Sequence, residues 1–214
     1  MNRLAPIIIT LALVAASSAC ANPAANVSQA VTSEASAQPA PLAAGAAGEK
    51  LPITGENSRI EFVGSKVTGS EGGRFEKFSG TVYLVEADPA RSRVEIAIDM
   101  NSVGTDADNL AEHLKTADFF DVPKFPEATF VSTEIKPGGD KGATHTVTGN
   151  LGLHGVTKAI TFPATIKVDA TAAALDAEFY INRNDFGIKY EGRTNDLIRD
   201  EVVIRLKVRA PRRS

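Results

Sequence analysis

Residues 146–168 read TVTGNLGLHGVTKAITFPATIKV, and apolar or small residues recur at every second position in both halves of this stretch. The recurring positions are Val147, Gly149, Leu151 and Leu153 in the first half and Ile160, Phe162, Ala164, Ile166 and Val168 in the second. A period of two places alternate side chains on opposite faces of a β-strand. His154 and Gly155 lie between the two runs, where a tight turn is expected. The stretch therefore predicts two antiparallel strands with one buried face.

The same alternation extends outward in both directions. It is present in residues 78–84, 93–100, 176–181 and 204–209, with shorter strand candidates at 59–64 and 128–135. One apolar and one polar face per strand is typical of an antiparallel sheet that buries a single face. About seven or eight such strands fit either a sandwich or an up-and-down β-barrel, and periodicity does not choose between them. A barrel of about eight strands can enclose one ligand.

Residues 105–117 break this period and predict a short helix that covers one end of the barrel. Its apolar face would contain Leu110, His113, Leu114 and Ala117. Thr105 with Asp108 three positions later resembles a capping box.

Composition excludes several classes of function. The 214 residues carry a formal net charge of −3 and show no dense basic stripe, which argues against a nucleic-acid partner. The single cysteine excludes an intrachain disulfide and a cysteine-based metal site. The sequence contains no catalytic motif of the common types, and its three histidines share no metal-ligand spacing, so we expect neither an enzyme nor a metal protein nor a cofactor.

The first 20 residues have the pattern of an export signal. Arg3 precedes a short apolar run, and small residues lead to Cys20. Ser17–Cys20 resembles a bacterial lipobox, in which the cysteine becomes the lipidated first residue. Ordinary cleavage after Ala19–Cys20–Ala21 is the alternative. Both place the remaining chain outside the cytoplasm, and the first would anchor it to a membrane.

Residues 21–50 are rich in Ala, Ser and Pro and carry almost no charge before Glu49. Such a segment buries too little to offset its ordering entropy, so a disordered tether is expected. The folded domain is expected to span 51–214.

Five motifs that occur in order resemble one known family. They are GRFEKFSG at 73–80, HLKTADFFD at 113–121, FPEATF at 125–130, TGNLGLHGVTK at 148–158 and NRNDFG at 182–187. This set resembles the YceI-like family and covers residues 53–210. One departure is Leu110–Ala111, where the family often has Arg-Asp, and it puts in doubt any head-group contact made by those charges.

The resemblance implies a lipocalin-like antiparallel up-and-down barrel in the bacterial periplasm. It implies an apolar channel for a polyisoprenoid, quinone-like or other long-chain lipid, and it allows a homodimer. The expected channel residues share the inward face of the strands: Phe78, Val82, Leu84, Val94, Ile96, Ile98, Leu151, Phe162, Ile166, Phe179, Ile181 and Leu206.

Two polar residues are candidates for contact with a lipid head group. Strand parity places Arg183 on the inward face with Phe179 and Ile181, where Asp185 could pair with it. His113 lies on the apolar face of the predicted helix. The alternative function is a structural or partner-docking envelope lipoprotein whose barrel is filled by side chains, with Arg183 and His113 as structural residues. Gly80, Gly149 and Ala164 would leave space inside the barrel and favour the channel.

Overall fold

The structure, a computed structural model, describes residues 22–37 and 48–212, most of which form β-strands. The strands are β1 Ser28–Gln29, β2 Val31–Glu34, β3 Glu49–Thr54, β4 Arg59–Lys66, β5 Gly69–Phe75, β6 Phe78–Val85, β7 Asp88–Asp99, β8 Val103–Thr105, β9 Glu127–Pro137, β10 His145–Leu153, β11 Val156–Val168, β12 Ala172–Asn182, β13 Gly192–Arg193, β14 Asp196–Leu197 and β15 Glu201–Pro211. The α-helix is α1 Asp108–Leu114, and 3₁₀ turns span Met100–Ser102, Asp140–Gly142 and Arg183–Phe186.

The main sheet is antiparallel along the order β3-β6-β7-β9-β10-β11-β12-β15-β4-β5-β8. The consecutive strands β3 and β4 lie far apart in this order, yet only residues 55–58 join them, so the sheet must curl to bring them together. Across this seam, Arg212 Nε donates to Glu49 at 2.8 Å and the Arg209 N–H donates to Ser58 Oγ at 3.2 Å. Leu51 and Ile53 pack in one core cluster with Ile60 and Val208. The fold is the expected lipocalin-like barrel, although β3, β4 and β5 depart from a strict up-and-down order.

Strand register confirms the alternation seen in the sequence. Gly149 lies opposite Ile160, and Ile98 lies opposite Phe78. His154 and Gly155 both have positive φ, 52° and 74°, which matches the turn type preferred by two-residue hairpins.

One end of the barrel, called here the helix end, is covered by α1 and its neighbours. Leu114 packs with Phe62, Phe119 and Ile188 in a separate core cluster. The helix begins at Asp108 rather than Thr105, because Thr105 is the last residue of β8. The predicted capping box is wrong: Ala107 occupies the N-cap and makes no side-chain cap bond.

The predicted tether is also wrong over the part of it that the structure describes. β1 pairs with β12 in parallel, and β2 pairs with β11 antiparallel. These two short strands fill a gap where β11 and β12 separate beyond their direct pairing at residues 165–168 and 173–176. Ala30 is only 1% exposed and packs in the barrel core. β3 then begins at Glu49, inside the predicted tether, while residues 38–47 lie outside the described residues.

Candidate functional site: an apolar chamber

An apolar chamber lies inside the barrel at the end opposite α1, called here the chamber end. Its walls come from β6, β7, β9, β10, β11, β12 and β15. The lining residues are Val82, Leu84, Pro89, Ser92, Val94, Ile96, Phe130, Ile135, Val147, Phe162, Ile166, Val168, Ala173, Ala174, Leu175, Leu206 and Val208. Ser92 is the one polar residue among them.

The chamber encloses a small but measurable volume. The centres of water-sized molecules can occupy about 70 Å³ of it. One water needs roughly 10–15 Å³ by the same measure. The chamber therefore exceeds a packing defect, and its small volume suits part of a thin flexible chain rather than a bulky rigid ligand.

Several inward side chains keep accessible surface at this level of the barrel. Val94, Ile96, Ile166, Leu175 and Leu206 are only half-buried, although their strand parity points them inward. Inward apolar side chains in a filled barrel are normally fully buried, since protein interiors pack to high density. Their exposed surface shows that space remains inside the barrel at this level.

The expected channel residues divide into two groups along the barrel axis. Those that line the chamber are Val82, Leu84, Val94, Ile96, Phe162, Ile166 and Leu206. Those that pack in the core outside the chamber lining are Phe78, Ile98, Leu151, Phe179 and Ile181. Phe162 and Phe179 stack with ring centroids 4.2 Å apart, and such contacts fill the barrel next to the chamber.

Sequence reasoning missed the lining residues that begin β12. Ala173 and Leu175 share the inward parity of Phe179, but the run of alanines at 172–174 gives almost no contrast between the two faces. An alternation traced backward from Phe179 would have included them.

The small residues expected to leave space do not form the chamber. A Cβ on Gly149 would lie 2.4 Å from the ring of Phe130, so that ring occupies the room left by the glycine. A Cβ on Gly80 would lie 2.5 Å from the carbonyl oxygen of Glu95. Ala164 is 1% exposed within the core. These residues permit close packing, and the argument for a cavity from them is wrong.

Arg183 is buried, but it does not face the chamber. β12 ends at Asn182, so strand parity no longer applies to Arg183, which begins a 3₁₀ turn. Its guanidinium donates to the carbonyl oxygens of Ile188 at 2.9 Å, Arg199 at 3.1 Å and Ile198 at 3.3 Å. Nη2 also pairs with Asp200 at 3.1 Å, so the expected pairing with Asp185 is wrong. The cation ties the segment 188–200 to the barrel.

His113 also lies away from the chamber, on α1 at the helix end. Its Nε2 lies 2.8 Å from Asp118 Oδ2, and its ring contacts Phe119 and Tyr190 edge-on. The side chain is 38% exposed. The expected head-group contact with a ligand in the chamber has no support from this geometry.

The chamber lining includes no titratable side chain, and no group of metal-ligating side chains occurs within residues 22–37 and 48–212. Within those same residues, no helix has the length and hydropathy needed to cross a bilayer. The signal-peptide prediction and Cys20 lie outside the described residues.

Fold and site together define a lipocalin-like antiparallel β-barrel with an apolar internal chamber. The chain belongs to the YceI-like family, because the family model for the YceI-like domain matches residues 52–210. A UPF0312 protein of Pseudomonas putida is 38% identical over 132 residues, which are 59% of this chain and 68% of the relative. Protein YceI of Salmonella arizonae is 38% identical over 122 residues, 54% of this chain and 62% of that protein.

Two solved structures resemble the barrel. BcnA of Burkholderia cenocepacia has a TM-score of 0.64 and 28% identity, covering 72% of this chain and 96% of its own. A polyisoprenoid binding domain of Saccharophagus degradans has a TM-score of 0.59 and 20% identity, covering 76% of this chain and 99% of its own. At that identity the second likeness supports the fold alone.

Proposed function

We propose that this protein binds the tail of a long-chain apolar lipid, of the polyisoprenoid or quinone-like class, inside the chamber and carries it in the periplasm. The observation that carries the proposal is an interior space lined almost wholly by apolar side chains. Burial of each CH₂ group contributes about 0.8 kcal/mol, so a tail needs no specific polar partner to bind. The Saccharophagus neighbour, which shares the fold, is a polyisoprenoid binding domain, and the proposal extends that ligand class to this chain.

The chamber's chemistry favours binding over catalysis. A general acid or base must reach the reacting group, and the chamber lining offers only the hydroxyl of Ser92. Since Arg183 and His113 lie elsewhere, the lipid head group is expected at the chamber end, outside the apolar lining.

A filled barrel that docks a partner protein is the second candidate function. The small volume of the chamber favours this alternative, as does the aromatic packing of Phe130 and Phe162, which line the chamber, with Phe179 beside it. It predicts that no apolar chain enters the barrel.

Substitution at Ile96 separates the two functions. Ile96→Trp adds volume inside the chamber, whereas Ala97→Trp adds an indole on the opposite face of β7. With a fluorescent polyisoprenoid analogue as the probe, the lipid-binding proposal predicts that Ile96→Trp weakens binding at least tenfold and that Ala97→Trp leaves it within about twofold. Absence of binding by the unsubstituted protein would favour the filled barrel.

A further inference from the structure

Charge is distributed unevenly between the two ends of the barrel. The chamber rim is defined here as residues 48–50, 86–92, 136–145, 167–172 and 207–212, which surround the chamber end. The rim contains eight Lys or Arg against five Asp or Glu, a net formal charge of +3, whereas the whole chain carries −3. Two acidic residues lie just outside these ranges: Glu134, which pairs with Lys136, and Asp176, which lies opposite Lys207. Its cations are Lys50, Arg91, Lys136, Lys141, Lys167, Lys207, Arg209 and Arg212.

The helix end has the opposite sign. Residues 54–57, 66–77, 99–127 and 183–201 together contain fifteen Asp or Glu against nine Lys or Arg, a net formal charge of −6. The described barrel is thus polarised along its axis, with the positive end at the chamber.

Several rim cations are not held in a short ion pair. Lys167, Lys207 and Arg209 are exposed and form no ion pair within residues 22–37 and 48–212, although Lys207 lies opposite Asp176 on β12 and the charge of Arg209 acts on Asp169. Lys167 and Arg209 lie on either side of Ala174 across three adjacent strands. Lys141 Nζ bonds to the carbonyl oxygen of Asn26 at 2.5 Å, which leaves its charge uncompensated. These charges are available to an external anion.

The loop tips of the rim determine what kind of contact is favoured. Their exposed residues include Ala87, Ala90 and Ala170, and the rim loops of the described chain contain no Phe, Tyr, Leu or Ile that could insert into a membrane. Contact would therefore be electrostatic and would fall with ionic strength.

We propose that the chamber rim docks on an anionic lipid bilayer, so that a lipid passes between membrane and chamber with little exposure to water. This inference rests on the proposed lipid-binding function and adds the source or destination of the lipid. Charge complementarity to an anionic leaflet supports this partner.

The path of the chain agrees with this orientation. Asn26 contacts the rim residue Lys141, so the first described residues approach the barrel at the chamber end. Cys20 is two residues before Asn22, the first described residue, and two residues span at most about 7 Å. Of the two cleavage alternatives, the lipobox would place a lipid on Cys20, and such a lipid would enter a membrane on the side of the chamber end.

Vesicle co-sedimentation tests the inference. The full chain with Cys20→Ser, which removes any lipid anchor, is mixed with phosphatidylcholine vesicles with or without about 30% phosphatidylglycerol at low salt. The triple variant Lys141→Gln, Lys167→Gln, Arg209→Gln is the test, and Lys77→Gln, Lys189→Gln, Arg193→Gln is the matched control. The control removes three exposed cations of the helix end, and these cations form no ion pair among the described residues. Both triple variants therefore change the net charge by the same amount.

We expect the unsubstituted rim to bind only the anionic vesicles and to lose this binding at about 0.5 M NaCl. The rim variant should bind these vesicles at least tenfold more weakly, whereas the affinity of the control variant should change less than twofold. Equal effects of the two triple variants would overturn the inference, as would binding to soluble polyanions but not to vesicles. The assay needs no lipid in the chamber. Vesicle binding without uptake of the fluorescent analogue would therefore contradict the proposed function but not the docking surface. Uptake of the analogue without vesicle binding would contradict the docking surface but not the proposed function.

Discussion

Arg183 illustrates how a buried cation is satisfied mainly by backbone. Removing its side chain leaves the carbonyl oxygens of Ile188, Ile198 and Arg199 without their guanidinium donor. Buried polar groups without partners cost far more than surface ion pairs contribute. The residue is therefore expected to matter for stability and not directly for ligand affinity.

Replacing this cation provides the first stability prediction. Arg183→Met is expected to lower the free energy of unfolding by about 3 kcal/mol, because it breaks a buried hydrogen-bond network. Urea unfolding measures the change, with Arg205→Met as control, since Arg205 pairs with Glu178 on the exposed outer face. The control should cost no more than about 1 kcal/mol. Similar losses in the two variants would contradict the structural role of Arg183.

Asp169 organises the turn between β11 and β12 at the chamber rim. Its Oδ1 accepts from the Thr171 hydroxyl at 2.7 Å and from the Thr171 and Ala172 N–H groups at 2.6 Å and 3.0 Å. The Thr171 hydroxyl is the largest cause of the lowered pKa of Asp169, followed by the two N–H groups. The charge of Arg209 adds a smaller effect and desolvation opposes it, so that the pKa falls from 3.8 to about 2. Since the folded pKa is depressed, the stability from this carboxylate is present above pH 3.8 and is lost as pH falls toward 2.

This shift predicts the pH dependence of one variant. Asp169→Asn should have a lower melting temperature than the unsubstituted protein at pH 5 and above, because the amide is a weaker acceptor than the carboxylate. The difference should narrow between about pH 4 and pH 2 as Asp169 takes up a proton. Differential scanning calorimetry across this range measures it. A difference that stays constant down to pH 2 would show that the charge of Asp169 makes no contribution.

Inward positions along regular strands could be predicted from the sequence, but residues beyond a strand end could not. Ile96 and Phe162 line the chamber as their alternation indicates. Arg183 was misplaced because β12 ends one residue earlier, at Asn182, and parity has no meaning in the turn that follows. His113 was placed on the apolar face of α1, yet it pairs with Asp118 in a half-exposed position.

The N-terminal strand pair is the element that the sequence concealed. Residues 28–34 read SQAVTSE, which lacks the apolar alternation of a barrel strand. β1 and β2 are held instead by backbone pairing to two separated strand edges, which composition does not reveal. Only Ala30 is fully buried, and alanine is uninformative in an alanine-rich segment. The five motifs of the domain, by contrast, lie in or beside elements that the alternation or the predicted helix had indicated.

Neighbouring substitutions test whether this strand pair belongs to the barrel wall. Ala30→Asp introduces a carboxylate into the core and should lower the free energy of unfolding by about 1–3 kcal/mol. Val31 is 66% exposed, so Val31→Asp should change it by no more than about 0.5 kcal/mol. Hydrogen exchange should accelerate in the first variant alone for those backbone amides of residues 159–161 that donate to β2, while the amides that donate to β10 on the other side of β11 serve as the internal control. Unchanged exchange in Ala30→Asp would show that residues 28–34 do not protect this edge.

Closure of the whole sheet required more than periodicity. Alternation is compatible with a sandwich or a barrel, and the barrel follows from the short connection between β3 and β4 together with the seam contacts of Arg212 and Arg209. The position of the chamber depends on which inward layers are filled by aromatic rings, a property of the assembled barrel. Sequence therefore predicted an apolar interior but not that its space lies at the end opposite α1.

The axial charge difference is likewise a property of the assembled barrel. The rim cations come from five separate segments of the chain, so no local run of basic residues predicts that they cluster. Chamber and positive rim occur at the same end, which is the arrangement expected if lipid exchange takes place at an anionic surface.

Native mass spectrometry with lipid extraction, on protein purified from the periplasm, tests the central claim most directly. If lipid binds in the chamber, the unsubstituted chain carries a long-chain apolar species, Ile96→Trp carries much less of it, and Ala97→Trp carries an unchanged amount. If the protein shows only its own mass, and shows no added mass after incubation with polyprenols, quinones and fatty acids, the result would contradict lipid binding in the chamber and favour a filled barrel.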